Sequence, residues 1–114
     1  MPAAYAPFSL LFPRSAAIVH QGGVGTTGQA MRSGRPMLVM PYAVDQPDNA
    51  DRVRRLGIAR VIERKEYSRT TAARELDHLL RDEQYREKSG KVAQAIALEN
   101  GPATACDQLE KFLV

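Results

Sequence analysis

Short unbroken apolar runs alternate along this chain with longer stretches in which apolar residues recur every three or four positions. Three runs stand out, Ala16–His20, Met37–Met40 and Ile58–Ile62, each bounded by turn residues. An unbroken apolar run of this length reads as a strand covered on both faces, as in a parallel sheet. Between the runs the period is helical. One helix is expected from about Gly25 to Ser33, with Ala30 and Met31 inward, and a second from about Pro47 to Leu56. Gly34 and Gly57 stand where a helix ends in a left-handed residue, Pro36 forbids continuation, and Pro47 suits a first turn. The order strand–helix–strand–helix–strand predicts an α/β fold with parallel pairing and right-handed crossovers.

The second half reads as helical throughout. One helix is expected from about Thr71 to Arg81, with Leu76, Leu79 and Leu80 as its apolar positions. Another runs from Glu83 to about Asn100, with Val92, Ala95, Ile96 and Ala97 inward. Asn100-Gly101-Pro102 breaks the chain. A last helix to Phe112 is expected to bury Ala103, Cys106, Leu109 and Phe112 or Leu113. Residues 1–13 read as irregular, with prolines at 2, 7 and 13, a start that fits a piece of something larger. No internal repeat or low-complexity segment is present.

At 114 residues and 44% apolar content the chain can form one core. No apolar run is long enough to span a membrane. The N-terminus lacks the basic-then-apolar pattern of a signal peptide. A single cysteine, Cys106, excludes a disulfide framework and makes a reducing cytoplasm the default; a buried structural thiol is expected. The net charge of +3 mildly favours anionic ligands. Arg52, Arg54 and Arg55 alternate with Asp48 and Asp51, which reads as a solvated helix face. No aromatic residues interleave with them, so nucleic acid is not expected as a partner. His78 sits among charged residues without a second ligand at metal spacing.

The candidate chemistry lies in Ala16–Ala30, where an apolar run enters Gln21-Gly22-Gly23-Val24-Gly25-Thr26-Thr27 and a helix follows. Glycines let the backbone turn tightly and approach a ligand closely. Thr26 and Thr27 fall where a helix begins, among N–H groups without intrahelical acceptors. Such a terminus carries about half a positive charge and binds anions. The physical reading is therefore a strand–loop–helix that holds phosphate. Gly28, costly inside a helix by about 1 kcal/mol, is expected to mark close approach to the sheet or ligand.

Gly23 to Gly28 formally match G-x-G-x-x-G, the dinucleotide fingerprint. That fold needs an acidic residue ending the second strand to grip a ribose. Here the strand ends at Met40-Pro41 and the first carboxylate is Asp45, out in the loop, which disfavours a dinucleotide domain.

Three segments taken together are more specific: His20 to Thr27, Gly34-Arg35-Pro36, and Pro41 to Asn49. In that order and spacing they resemble the donor-binding signature of family 1 glycosyltransferases, nearest in look to bacterial enzymes that decorate antibiotics, lipids and other natural products. The likeness runs from about Tyr5 to the C-terminus. It implies a Rossmann-like three-layer parallel sheet with helices on both faces, the C-terminal part of a GT-B fold. Residues 1–114 would be a single, truncated donor-binding domain, without the N-terminal acceptor domain.

The resemblance implies that Gln21, Gly22, Gly23, Gly25, Thr26 and Thr27 hold the diphosphate of a UDP- or TDP-sugar. Asp45 and Gln46 would read the sugar hydroxyls, a strong acceptor beside a group that both donates and accepts. Capping of the next helix is the other role open to Asp45. Gln29 would face the ribose, and Tyr5 and Phe8 the base; core packing is the alternative for both aromatics. Gln21 stands where the family commonly has His, and Gln29 where it often has Glu, so the preference between UDP and TDP is left open. No metal and no separate cofactor are implied, the nucleotide sugar being a substrate. Transfer of a hexose to a small-molecule acceptor, with inversion, would need the acceptor domain and its general base. The isolated chain is therefore expected to be inactive. The alternative is a non-catalytic module that associates with a partner, or with itself, through an exposed sheet edge.

Overall fold

The computed structural model describes residues 1–113. Three strands, β1 (Ile18–His20), β2 (Met37–Val39) and β3 (Ala59–Val61), form one sheet in the order β1-β2-β3. Both pairs are parallel, with Ile18 opposite Met37 and Met37 opposite Ala59. The strands are shorter than the apolar runs that announce them, but both ends of the Ile58–Ile62 run continue the bonding. Met37 donates its N–H to the Ile58 carbonyl at 3.0 Å, and Ile62 donates to Val39 at 3.0 Å.

Two helices connect the strands, α2 (Val24–Ser33) and α3 (Gln46–Arg55). Side chains alternate across a strand, and this divides the core. Met37 and Val39 join Ala30 of α2 and Ala50 and Val53 of α3 in one cluster, with Phe12, Ile18, Ile58 and Ala59. Leu38 joins Ile62 and Leu79 in a second. Leu79 belongs to α4 (Arg69–Arg81), so the central strand is apolar on both faces because helices cover both. Burial of a side chain such as Leu38 stabilises by roughly 1.5–3 kcal/mol.

α4 begins with a capping box between Ser68 and Thr71, and α5 (Glu83–Ala97) is capped by the Asp82 carboxylate. Gly34 ends α2 in the left-handed conformation, and a Cβ there would stand 3.4 Å from the Ala93 Cβ of α5. Arg60 fastens the edge strand to this layer: its guanidinium pairs with Glu75 of α4 and donates to the Tyr85 hydroxyl of α5 at 3.1 Å. The Arg60 guanidinium, with Arg74 adding to it, holds the Glu75 carboxyl below the usual carboxylate range.

Both ends of the chain depart from the sequence expectation. Within 1–13 the chain is not wholly irregular: a short helix α1 (Phe8–Leu11) leads into a 3-10 turn over Phe12–Arg14. One local contact and one distant in sequence anchor it. The Phe8 ring stacks on the buried Phe12 at 4.4 Å, and Arg35 donates twice to the Pro13 carbonyl, at 3.0 and 2.6 Å. At the other end α6 (Gly101–Glu110) buries nothing. Ala103, Leu109, Phe112 and Leu113 are exposed, and so is Cys106, which corrects the expected buried thiol. Ala95 and Ala97 of α5 are exposed too, while Val92 and Ile96 are half-buried. Helical periodicity identifies residues that share a face; it does not say that another layer covers the face. Among the described residues no helix is long and apolar enough to cross a membrane.

Candidate functional site

The C-terminal ends of β1 and β2 carry the two loops singled out in the sequence. After His20, the chain turns at Gly22, whose φ is +91°. A Cβ there would stand 3.1 Å from both the Gln46 carbonyl oxygen and the Val39 Cγ1. Torsion and space together therefore require glycine. Gly23 is the N-cap, and α2 opens at Val24, one residue earlier than expected. The first helical bond runs from Thr27 N–H to the Gly23 carbonyl at 2.9 Å. The N–H groups of Val24, Gly25 and Thr26 precede it and lack intrahelical acceptors, at the positive end of the helix. Cβ atoms built at Gly23 and Gly25 would meet nothing within 4 Å, so this mouth is open.

The site residues expected from the sequence separate into distinct environments. Gln21, Gly25 and Gln29 are exposed and Thr26 is half-buried. Thr27 is buried, and its hydroxyl has no hydrogen-bond partner among the described residues. Thr26 and Thr27 thus do not act as a pair at the mouth: three residues before Ala30, Thr27 lies on the inward face of α2. Gly22 contributes conformation, because its N–H is already engaged by the His20 Nδ1 at 3.0 Å. Gly28 is exposed, and a Cβ there would meet nothing within 4 Å. It therefore does not mark close approach to the sheet; it lines an open groove of about 600 Å³ between α2 and α3.

In the second loop, Val44 has φ +61°, the one non-glycine with positive φ among the described residues. The left-handed region costs an L-residue about 1–2 kcal/mol, and Val44 spends it turning the chain just before Asp45. Asp45 occupies the N-cap position of α3 without capping it. Its exposed carboxylate accepts from Asn49 Nδ2 at 3.0 Å, and the same amide nitrogen donates to the Gly22 carbonyl at 2.9 Å. Asn49 therefore joins the two loops. Gln46 folds back on its own loop, its Oε1 accepting from the N–H of Tyr42 at 2.8 Å and of Ala43 at 3.2 Å. Its amide NH2 makes no hydrogen bond among the described residues. Tyr5 is 84% exposed, which removes core packing as its role, whereas Phe8 shares its ring with Phe12. Arg52, Arg54 and Arg55 lie on the solvated face of α3, paired with Asp48 and Asp51.

His20 is the titratable group nearest the loop's turn. Its Nδ1 accepts from Gly22, so in the neutral ring Nε2 carries the proton and faces the Met37 Sδ at 3.2 Å. Desolvation pushes its pKa down to about 4. The unfolded chain, with an ordinary histidine near 6.5, then binds more protons than the folded one between these values. Stability is expected to be fully present above about pH 6.5 and to fall as the pH drops towards 4. Melting temperatures measured across that range for wild type and for His20→Asn test this: the wild-type curve should fall more steeply.

Sequence reasoning missed Asn49 and the acceptor role of His20. Asn49 had a legible signal, a position four residues after Asp45 on a helix, where side chains meet. The His20 contact had none, because it depends on the path of the turn.

The family described as "Erythromycin biosynthesis protein CIII-like, C-terminal domain" matches residues 2–112. The chain is 35% identical over 108 residues to an O-mycaminosyltylonolide 6-deoxyallosyltransferase of Streptomyces fradiae, covering 94% of this chain and 26% of that protein. It is 37% identical over 99 residues to a sterol 3-beta-glucosyltransferase of Eremothecium gossypii, covering 87% of this chain and 8% of that one. Among solved structures, the glycotransferase of kitacinnamycin superposes with a TM-score of 0.85 at 29% identity, over 94% of this chain and 28% of that one. Glycosyltransferase VinC, solved in complex with DTDP, superposes with a TM-score of 0.77 at 29% identity, over 81% of this chain and 23% of that one. The chain thus spans about a quarter or less of these relatives.

Proposed function

Since the chain belongs to the erythromycin biosynthesis protein CIII-like C-terminal domains of GT-B glycosyltransferases, we propose that it binds the nucleotide-sugar donor, UDP- or TDP-linked. The observation that carries this is the open mouth of α2. Three N–H groups without intrahelical acceptors follow Gly22, which Asn49 ties to the Asp45 carboxylate. The diphosphate takes the N–H groups and the Thr26 hydroxyl; the sugar takes Asp45 and the Gln46 amide; Tyr5 and Gln29 lie towards the nucleoside. The complex of the similar enzyme VinC with DTDP supports the thymidine form. In a whole enzyme the reaction is inverting transfer of a hexose to a small-molecule acceptor, and preorganised N–H donors stabilise the departing diphosphate. The acceptor's base belongs to the other domain, so this chain alone transfers no sugar. No metal or cofactor enters this scheme.

A second reading, association through the sheet edge, is favoured by β1: its outer side pairs with no strand among the described residues, and Val19 is 47% exposed. A size that grows with concentration would support it.

Asp45→Ala tests the division of labour in the donor site. A charge-assisted hydrogen bond contributes roughly 1.5–3 kcal/mol, so calorimetry should show a nucleotide sugar weakened about tenfold to hundredfold. The bare nucleoside diphosphate should be nearly unaffected. Equal weakening of both would mean that Asp45 acts through Asn49 and the loop, and the sugar-reading role would fall.

A further inference from the structure

We infer that His20 is a positioning residue for the phosphate loop, its unprotonated Nδ1 fixing the Gly22 peptide and thereby the direction in which the following N–H groups point. This rests on the donor-site reading above. The Gly22 residue is held at both ends, its N–H by His20 Nδ1 at 3.0 Å and its carbonyl by Asn49 Nδ2 at 2.9 Å. Gly22 is buried, and its φ of +91° is a conformation to which glycine alone brings no preference. Something must select that torsion, and two side chains from different elements do so. His20 comes from the end of β1 and Asn49 from α3. The imidazole is in turn oriented from its far side by the fully buried Met37, whose sulfur faces Nε2 at 3.2 Å. Met37 belongs to the central strand, so the chain of contacts runs from the rigid sheet to the loop.

The consequence is directional. With its N–H turned to His20, Gly22 does not offer a donor to the ligand, and the diphosphate meets the N–H groups of Val24 to Thr26. Without an acceptor, the Gly22 N–H is a buried orphan, a state costly enough to drive the peptide to another orientation. The loop would then present its donors elsewhere.

Two substitutions separate this role from packing. In His20→Asn the side-chain oxygen lies close to the place of Nδ1 and can still accept from Gly22. In His20→Leu the volume beside Met37 remains filled, with no acceptor. Both variants and wild type are titrated with UDP and with TDP by calorimetry, after circular dichroism establishes that each is folded. His20→Asn is expected to bind within about threefold of wild type and His20→Leu about tenfold more weakly or worse. Equal weakening in the two variants, or wild-type binding by His20→Leu, would overturn the proposal. Nitrogen NMR of the free wild-type chain is an independent arm, with His20 resolved from His78. The proposal requires a protonated Nε2 and a bare Nδ1, and a proton on Nδ1 sinks it whatever the nucleotides do. If wild type binds neither nucleotide while the ring is in the required tautomer, the donor-site reading fails, and the positioning role fails with it.

Discussion

Gly25→Asp is expected to abolish nucleoside diphosphate binding while leaving the fold as stable as before, or slightly more stable. The two effects have opposite signs for one physical reason. Gly25 lies in the first turn of α2, and a Cβ there meets nothing within 4 Å. A carboxylate in a first turn is favourable, by about 0.3–1 kcal/mol, because it faces the positive end of the helix. On the proposed donor-site reading, that is the place of the diphosphate. The aspartate occupies the N–H groups and repels a second anion, by roughly 4 kcal/mol for unit charges 4 Å apart at an effective dielectric of 20. Affinity for UDP and for TDP should fall by at least about a hundredfold on that estimate, with the melting temperature held or raised. Equal binding by wild type and variant would place the anion site elsewhere. A lowered melting temperature would mean that the first turn is packed against something.

Gly22→Ala should instead damage the fold itself. At φ +91° an L-residue costs about 1–2 kcal/mol. The new Cβ would also stand 3.1 Å from the Gln46 carbonyl oxygen and from Val39 Cγ1. Neither neighbour is the loose end of a flexible side chain: one is backbone at the start of α3, the other a branched core residue of β2. Overpacking of this kind adds roughly 1–3 kcal/mol. The sum, about 2–5 kcal/mol, is a large part of the stability of a domain this size. Urea denaturation of Gly22→Ala and Gly23→Ala checks it. Gly23 has φ −58° and open space around it, so its variant should unfold near the wild-type midpoint. Equal midpoints for the two variants would mean that the close approach at Gly22 relaxes without cost.

Gly22 and Gly23 also show how far a sequence can be read. Both were legible as loop glycines, and their neighbourhood was legible as the start of a helix. That one is fixed by torsion and contact while the other only keeps a mouth open was not legible. The difference depends on how near α3 and β2 approach. Thr26 and Thr27 present the same case: adjacent hydroxyls look equivalent in a string, but the turn of the helix leaves one residue half-buried and sends the other inward, its hydroxyl without a partner among the described residues. Gln46 was expected to read sugar hydroxyls as a group that can both donate and accept, and its oxygen is bound within its own loop.

Local sequence by itself determined the three parallel strands, the two connecting helices with their glycine ends, and the glycine turn that leads from β1 into α2. Each of these follows from short-range chemistry: apolar runs, proline, glycine torsions and the free N–H groups of a helix start. The paired loop signature also carried the family. Tertiary structure alone decided what covers what, and which polar groups meet. It left Cys106 and the whole of α6 exposed, ordered Phe8 to Arg14 against Arg35, and brought His20, Gly22, Asn49 and Asp45 into one hydrogen-bonded chain. Burial and long-range hydrogen bonds depend on the distance between segments far apart in sequence, and periodicity carries no information about that distance.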